Sequence, residues 1–311
     1  MIVARRSEAL TAPDRQPAPQ GAFHVTAPAD ALPMPQVDGV EHRFVAVNGV
    51  RLHYAGAGRG DPLVLLHGWP QHWWAWREVI PALAKEHRVI CPDIRGFGWS
   101  EGGPDYGFEQ LAADLVGLLD LLGIERAPLV GHGWGSEIGY HACLNWPGRF
   151  SHFLPIGGVT PWSSGVTAPR LYLRSWHIYA LGLLGPYATT RLGVPENALR
   201  TWRHEGRFTP AQTQTYLGPL RRPVSADATR LLYRHVLLHE LPRHVRSSRT
   251  APLQVPTLHL YGEQDPLTGG SLHSPRGRAA DTRLEVLPEC GHFVAEERPS
   301  ELLDRLSGFL G

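Results

Sequence analysis

Charge is scarce in this chain. Asp, Glu, Lys and Arg make up 19% of its 311 residues, the formal net charge is +1, and Lys85 is the only lysine. A surface so close to neutrality offers no basic patch for nucleic acid and no polybasic stretch for an anionic membrane, so neither is an expected partner. Cysteine is scarcer still. Cys91, Cys143 and Cys290 are odd in number, far apart and in no C-x-x-C spacing. That argues against a disulfide framework or a cysteine metal site, and for reduced, buried thiols in a reducing compartment. No apolar run approaches the roughly 18 residues that a membrane-spanning helix requires. Arg5-Arg6 is followed by Ser7–Asp14 without an apolar core, which argues against secretory or twin-arginine export. A cytoplasmic location is expected, and nothing calls for a cofactor.

What is present is ordinary globular material: 42% hydrophobic residues over a length that holds one α/β domain with an insertion. Residues 1–38 are rich in Pro, Ala and Gln without periodicity and read as a disordered extension. Met34, the only internal methionine, is a candidate translation start. From Glu41 the pattern alternates, Arg43–Asn48 and then Val50–Tyr54, and Asn48-Gly49 between them signals a two-residue hairpin. Short apolar runs follow at Leu63–Leu66, Arg88–Cys91, Leu129-Val130, Phe153-Leu154, Thr257–Tyr261 and Leu284–Leu287, the composition of strands buried on both faces. Amphipathic helices are expected at about 73–85, 109–122, 135–146 and 299–310. In the second, Leu111, Leu115, Leu118, Leu119 and Leu122 form a stripe at helical spacing. A hairpin followed by alternating strands and helices predicts a mostly parallel sheet covered on both faces. The core is thus assigned to 39–159 and 247–311. Residues 160–246, where the alternation stops amid Tyr, Trp, Leu and Pro, are assigned to an inserted helical lid.

Three motifs carry chemistry. Gly131-His132-Gly133-Trp134-Gly135 stands between a strand and a helix, the setting of a nucleophile elbow, in which a tight turn lifts one side chain above the sheet. His67-Gly68-Trp69-Pro70 follows the Leu63–Leu66 strand, so the amides of Trp69 and Trp134 could together form an oxyanion hole. Downstream, Asp265 in Gly262-Glu-Gln-Asp-Pro266 and His292 in Cys290-Gly-His-Phe293 complete the order elbow, acid, histidine. His292 is expected to act as base and Asp265 to orient it, while Asp93 in Asp93-Ile-Arg-Gly96 is read as structural.

With those residues quoted, the sequence from about Val40 onward resembles the epoxide hydrolase and haloalkane dehalogenase branch of the α/β-hydrolases, which carry an eight-stranded, mostly parallel sheet with an inserted lid. The resemblance rests on HGWP at 67, PDIRGFGWS at 92, GHGWG at 131, GEQDP at 262 and CGHF at 290, and Trp69 leans toward the epoxide hydrolase side. In that branch the elbow reads G-H-D-W-G, and its aspartate attacks an epoxide or halide carbon. Here that position is Gly133, which can form no ester. Ser136 and Glu137, one turn into the helix, are expected not to project from the elbow, and His132 is expected to point elsewhere. The resemblance also implies two lid tyrosines over the epoxide oxygen. Tyr233 matches the second, and His177 falls where the first would be, with Tyr172 or Tyr179 able to reach the same space.

These residues imply an enzyme that acts on a small apolar molecule with a His–Asp base and no covalent nucleophile, water attacking an epoxide-like electrophile directly. Trp69, Trp134, Trp176 and Tyr179 are the expected substrate-binding side chains, in a lid whose aromatic content, including Trp162 and Trp202, suits an apolar ligand and a place in specialised metabolism. The alternatives are a lyase, isomerase or cyclase using the same base and oxyanion hole, a ligand-binding pseudoenzyme, or an epoxide hydrolase whose nucleophile was removed by engineering. His235 and His239 stand at i, i+4 with Glu240 and His244 behind them, but no third ligand at fixed spacing supports a metal site, and none is expected.

Overall fold

The computed structural model describes residues 32–162, 176–206, 208–246, 252–268 and 281–311, with the backbone alone at 244–246. The expected disordered extension therefore lies outside the described residues as far as residue 31. Its last part is docked: the Trp99 indole donates to the Leu32 carbonyl at 2.8 Å, and Met34 and Val37 pack against the core. The apolar side chains in this stretch explain why it departs from the expected disorder.

Eight strands form one sheet: β1 (Val40–Val47), β2 (Val50–Ala57), β3 (Asp61–Leu66), β4 (His87–Pro92), β5 (Ala127–His132), β6 (Phe150–Ile156), β7 (Thr257–Gly262) and β8 (Thr282–Leu287). Their order is β1-β2-β4-β3-β5-β6-β7-β8, with β1·β2 and β2·β4 antiparallel and every other pairing parallel. The hairpin forms as its turn residues dictate: Val47 pairs with Val50, and Asn48 and Gly49 both take positive φ, 46° and 78°.

Side chains alternate across each strand, so β3 feeds both faces. Leu63 and Leu65 join one core cluster with Trp73, Trp76, Leu302 and Leu306, while Val64 and Leu66 join the other. On that second face lies α1 (Phe108–Leu121), whose Leu111, Leu115, Leu118 and Leu119 are buried as the stripe required. Beside it runs α2 (Trp134–Asn145). The helix expected at 73–85 is broken instead into a 3-10 turn, Trp73–Trp76, and a single α turn, Ile80–Leu83. Pro81 is the physical reason, since it lacks the amide that an unbroken helix would use there and favours a first turn.

Between β6 and β7 the described residues contain helices and no paired strand: α3 (Trp176–Leu184), α4 (Pro186–Thr190), α5 (Val194–Thr201), α6 (Pro210–Leu220), α7 (Pro223–His235), a π turn (Val236–Glu240) and α8 (Leu241–Arg246). Local sequence sets several of these starts. Thr209 and Gln212 close a reciprocal capping box on α6, and Pro223 opens α7. The chain ends on α9 (Pro299–Leu310), which buries Leu302, Leu306 and Phe309. Among the described residues no helix is long and apolar enough to cross a membrane.

Asp93, just past β4, ties these parts together. Fully buried, it accepts the Trp73 amide at 2.9 Å and the Trp99 amide at 3.0 Å, and it meets His53 Nδ1 of β2 at 2.7 Å. Burial alone would push its carboxyl up, but His53, with His72 and His67, outweighs that and holds it well below the usual carboxylate range. Its role is structural, as the sequence suggested.

Candidate active site

The turn from β5 into α2 is as tight as the glycine spacing implies. Gly133 sits at φ 53° and ψ −118°, a conformation L side chains rarely adopt. The glycine on its far side is dictated by close approach, because a Cβ on Gly135 would lie 2.2 Å from the Leu66 carbonyl. A Cβ placed on Gly133 would instead meet ordinary spacing, with His292 Nε2 at 3.4 Å and Gly68 Cα at 3.7 Å as its nearest neighbours.

His292 therefore faces the turn. Its Nδ1 lies 2.9 Å from Asp265 Oδ2, so a proton on Nδ1 directs the lone pair of Nε2 toward residue 133. Asp265 also accepts the Leu267 amide at 2.8 Å and the Thr268 hydroxyl at 2.5 Å. Burial opposes ionisation of this carboxyl, yet His292, Thr268 and the Leu267 amide together hold it below its ordinary value, as an anion. The His292 loop is clamped from behind, its amide donating to the Trp202 carbonyl at 2.7 Å and its carbonyl meeting His132 Nε2 at 2.9 Å. His132 thus points away from the turn. Its pKa is pushed down to about 3 by burial and then by His292, so it is a neutral strut.

The two amides expected to bind an oxyanion flank Gly133, and neither meets an acceptor among the described residues. Trp134 N–H belongs to the first turn of α2, where helix amides lack intrahelical partners. Trp69 N–H is oriented through its own peptide plane: the Gly68 carbonyl on the opposite edge is held by the Gln71 amide at 3.0 Å and by His67 Nδ1 at 3.1 Å. His67 in turn accepts the Ile94 amide at 3.0 Å.

Above this floor is a cavity enclosing about 680 Å³ of non-protein space, its mouth included. Gly133, Trp69, Trp134, His292, His177 and Tyr233 all line it. His177 is buried beside Trp69, the rings parallel within 7° and 6.5 Å apart. Burial, then His292, lowers its pKa to about 3, so it is a neutral imidazole and not a cationic acid. Burial drives the Tyr233 phenol well above its usual value, the Trp134 indole acting weakly against it, so it remains an O–H donor.

Two expected binding side chains are elsewhere. Trp176 is 51% exposed, and neither it nor Tyr179 lines the cavity; Ile178 and His177 of α3 do, with Trp202 from just beyond α5. The apolar sequence of α3 has no polar face to fix its rotation, so the register was not legible. Tyr172 lies outside the described residues. Ser136 behaves as expected, its hydroxyl donating to the Gly131 carbonyl at 2.7 Å. Glu137, one turn into α2 and only 6% exposed, lines the cavity and accepts the Val159 amide at 2.6 Å through Oε1, a role the motif pattern did not indicate. Gly157 and Gly158 after β6 are set by close approach to other residues: a Cβ on Gly157 would lie 3.1 Å from the His292 ring, and one on Gly158 would lie 2.4 Å from Ser136 Cβ.

Farther along the wall, Glu109, His235 and Glu240 offer ligand atoms within 4.8 Å of one another. The Arg243 guanidinium already bridges both carboxylates, at 3.2 Å to Glu109 and 2.8 Å to Glu240, supplying the positive charge a metal ion would bring. His239, half of the i, i+4 pair noted in the sequence, only packs its ring against His235 at 4.9 Å.

An eight-stranded sheet with this turn, histidine and acid at the ends of its parallel strands defines a class. The α/β hydrolase fold family matches residues 61–299, and the chain belongs to it. Its relatives include a soluble epoxide hydrolase from Corynebacterium sp. (strain C12), 30% identical over 285 residues that cover 85% of this chain and 95% of that one. A fluoroacetate dehalogenase from Burkholderia sp. is 31% identical over 296 residues, covering 88% of this chain and 94% of its own. Among solved structures, the epoxide hydrolase CorEH without ligand superposes with a TM-score of 0.75 at 26% identity, covering 87% of this chain and 98% of that one.

Proposed function

We propose that this protein is a hydrolase-like enzyme that opens an epoxide-like electrophile on a small apolar molecule by direct attack of water, without an enzyme ester. The observation that carries the reading is the 3.4 Å between His292 Nε2 and the Cβ position of residue 133, with Asp265 behind the imidazole. A water standing over Gly133 would lose its proton to Nε2, and Asp265 would stabilise the imidazolium that results. The Tyr233 hydroxyl donates to the opening oxygen, with His177 as a second, neutral donor, and the helices between β6 and β7 serve as the lid that excludes bulk water. The kinship to an epoxide hydrolase supports the choice of electrophile.

The test is a single turnover of an apolar epoxide in ¹⁸O-labelled water. The first-turnover diol should carry solvent oxygen, and His292→Ala should lower kcat by ~10²–10⁴. Protein-derived oxygen in that first product, or a His292→Ala variant with full activity, would overturn the reading. Gly133→Asp should bring protein oxygen into the first product, because it restores a group able to form an ester.

A second reading is favoured by the Trp69 and Trp134 amides, which a developing alkoxide facing Tyr233 leaves unused. In it His292 removes a proton from carbon and the amides hold the enolate, as a lyase, isomerase or cyclase requires. Solvent deuterium appearing in recovered substrate or product, dependent on His292, would select it.

A further inference from the structure

We infer that Glu297 is a positioning residue for His292. It locks the base loop to the segment Trp202–His204 of the helical insertion, so the imidazole keeps its place only while that segment is docked. The inference deepens the function proposed above and rests on His292 being the base.

Three consecutive amides carry the base loop, and each has an acceptor. Glu297 Oε2 accepts the Gly291 amide at 3.1 Å and Oε1 accepts the Phe293 amide at 3.0 Å, one on each side of His292. The amide between them, that of His292 itself, donates to the Trp202 carbonyl at 2.7 Å. The loop is therefore held partly by a carboxylate of the core and partly by the insertion.

The same carboxylate also grips the insertion. Its Oε2 accepts the His204 amide at 2.8 Å. A Cβ on Gly291 would lie 2.5 Å from the His204 nitrogen and 2.6 Å from the Trp202 carbonyl oxygen, so the two backbones meet with no side chain between them. Trp202 carries this contact into the cavity it lines. Its ring stands 5.5 Å from that of His292, at 81°, and 4.8 Å from that of His177. Glu297 itself is fixed by the single helical turn Val294–Glu297, its amide donating to the Phe293 carbonyl at 2.9 Å.

Three N–H donors converging on two oxygens call for a carboxylate. Glutamine has the same shape but one acceptor oxygen, and its amide nitrogen would set N–H against N–H. Undocking residues 202–204 would free one donor from Glu297 and remove the acceptor of the His292 amide together. The imidazole, whose Nδ1 lies 2.9 Å from Asp265, would then lose its backbone anchor. A base displaced by about 1 Å loses much of its rate.

The test reads the imidazole directly, by NMR and hydrogen exchange on the intact, uniformly ¹⁵N-labelled protein. Glu297→Gln should speed exchange of the His292 Nδ1 proton and of the Gly291, Phe293 and His204 amides together. Each should rise about 10-fold or more, the effect of losing a hydrogen bond to a charged acceptor. Glu297→Asp, which keeps both oxygens, should restore part of that protection. His204→Pro removes only the donor on the insertion and leaves Glu297 on Gly291 and Phe293. It too should speed exchange of the Nδ1 proton. The inference is overturned if that proton exchanges as in the unmodified protein in a folded Glu297→Gln, or if it does so in His204→Pro. No arm involves turnover, so a failed water-attack mechanism leaves the coupling standing, and a failed coupling leaves the role of His292 untouched.

Discussion

At residue 133 two demands meet, one of backbone and one of space. The turn needs φ 53° with ψ −118°, which glycine adopts freely, and the site above is wide enough for a side chain, with His292 Nε2 3.4 Å from the Cβ position. Gly133→Ala should therefore fold but lose ~1–3 kcal/mol, the usual cost of forcing a non-glycine residue into such a region. A lowered urea midpoint with an unchanged m-value would show it. An unaltered midpoint would mean that the turn relaxes and holds no such constraint.

The helix α2 shows how an element is positioned by what its residues lack. A Cβ on Gly135 would meet the Leu66 carbonyl at 2.2 Å and the His67 carbonyl at 2.7 Å, both backbone atoms with no freedom to swing aside. Gly135→Ala should push α2 off β3, cost at least ~1–3 kcal/mol and shift Trp134, which chemical denaturation with tryptophan fluorescence would report. A neutral effect on both stability and fluorescence would contradict this packing. Elements of this kind were legible in the sequence because their signals are local: period-two alternation in β1 and β2, the leucine stripe of α1, glycines at the elbow. The chain order of elbow, acid and histidine, a long-range signal, singled out His292 and Asp265, whose side chains meet at 2.9 Å. What was not legible depended on rotation or distant contact. The apolar run Trp176–Leu184 gives no clue to which side faces inward, so Ile178 and not Tyr179 lines the cavity. Glu137 lines that cavity with its Oε1 held by the Val159 amide, 22 residues downstream, a contact no local pattern announces.

For the whole molecule, the most general consequence concerns acid. Among the described residues burial holds several histidines neutral: it lowers half-buried His42 and buried His72 and His259 to about 4, His132 and His177 to about 3, and buried His67 below its ordinary value. In the unfolded chain each takes a proton near the ordinary imidazole value of 6.5. Between about pH 6.5 and 4 the unfolded state thus binds more protons than the native one, so stability rises with pH through that window and is fully present above it. The urea midpoint should fall steadily from pH 7 to pH 4, with net proton uptake on unfolding near pH 5; a flat midpoint from pH 7 to 5 would contradict it. Asp93 adds a further coupling across the same scale. It joins β2 to the Trp73 and Trp99 turns, and the adjoining Ile94 amide is received by His67, which steers the Gly68–Trp69 peptide. The outer hairpin is therefore no bystander: drift among its residues reaches the reaction centre through one carboxylate and one imidazole, and any redesign of that edge must carry both along.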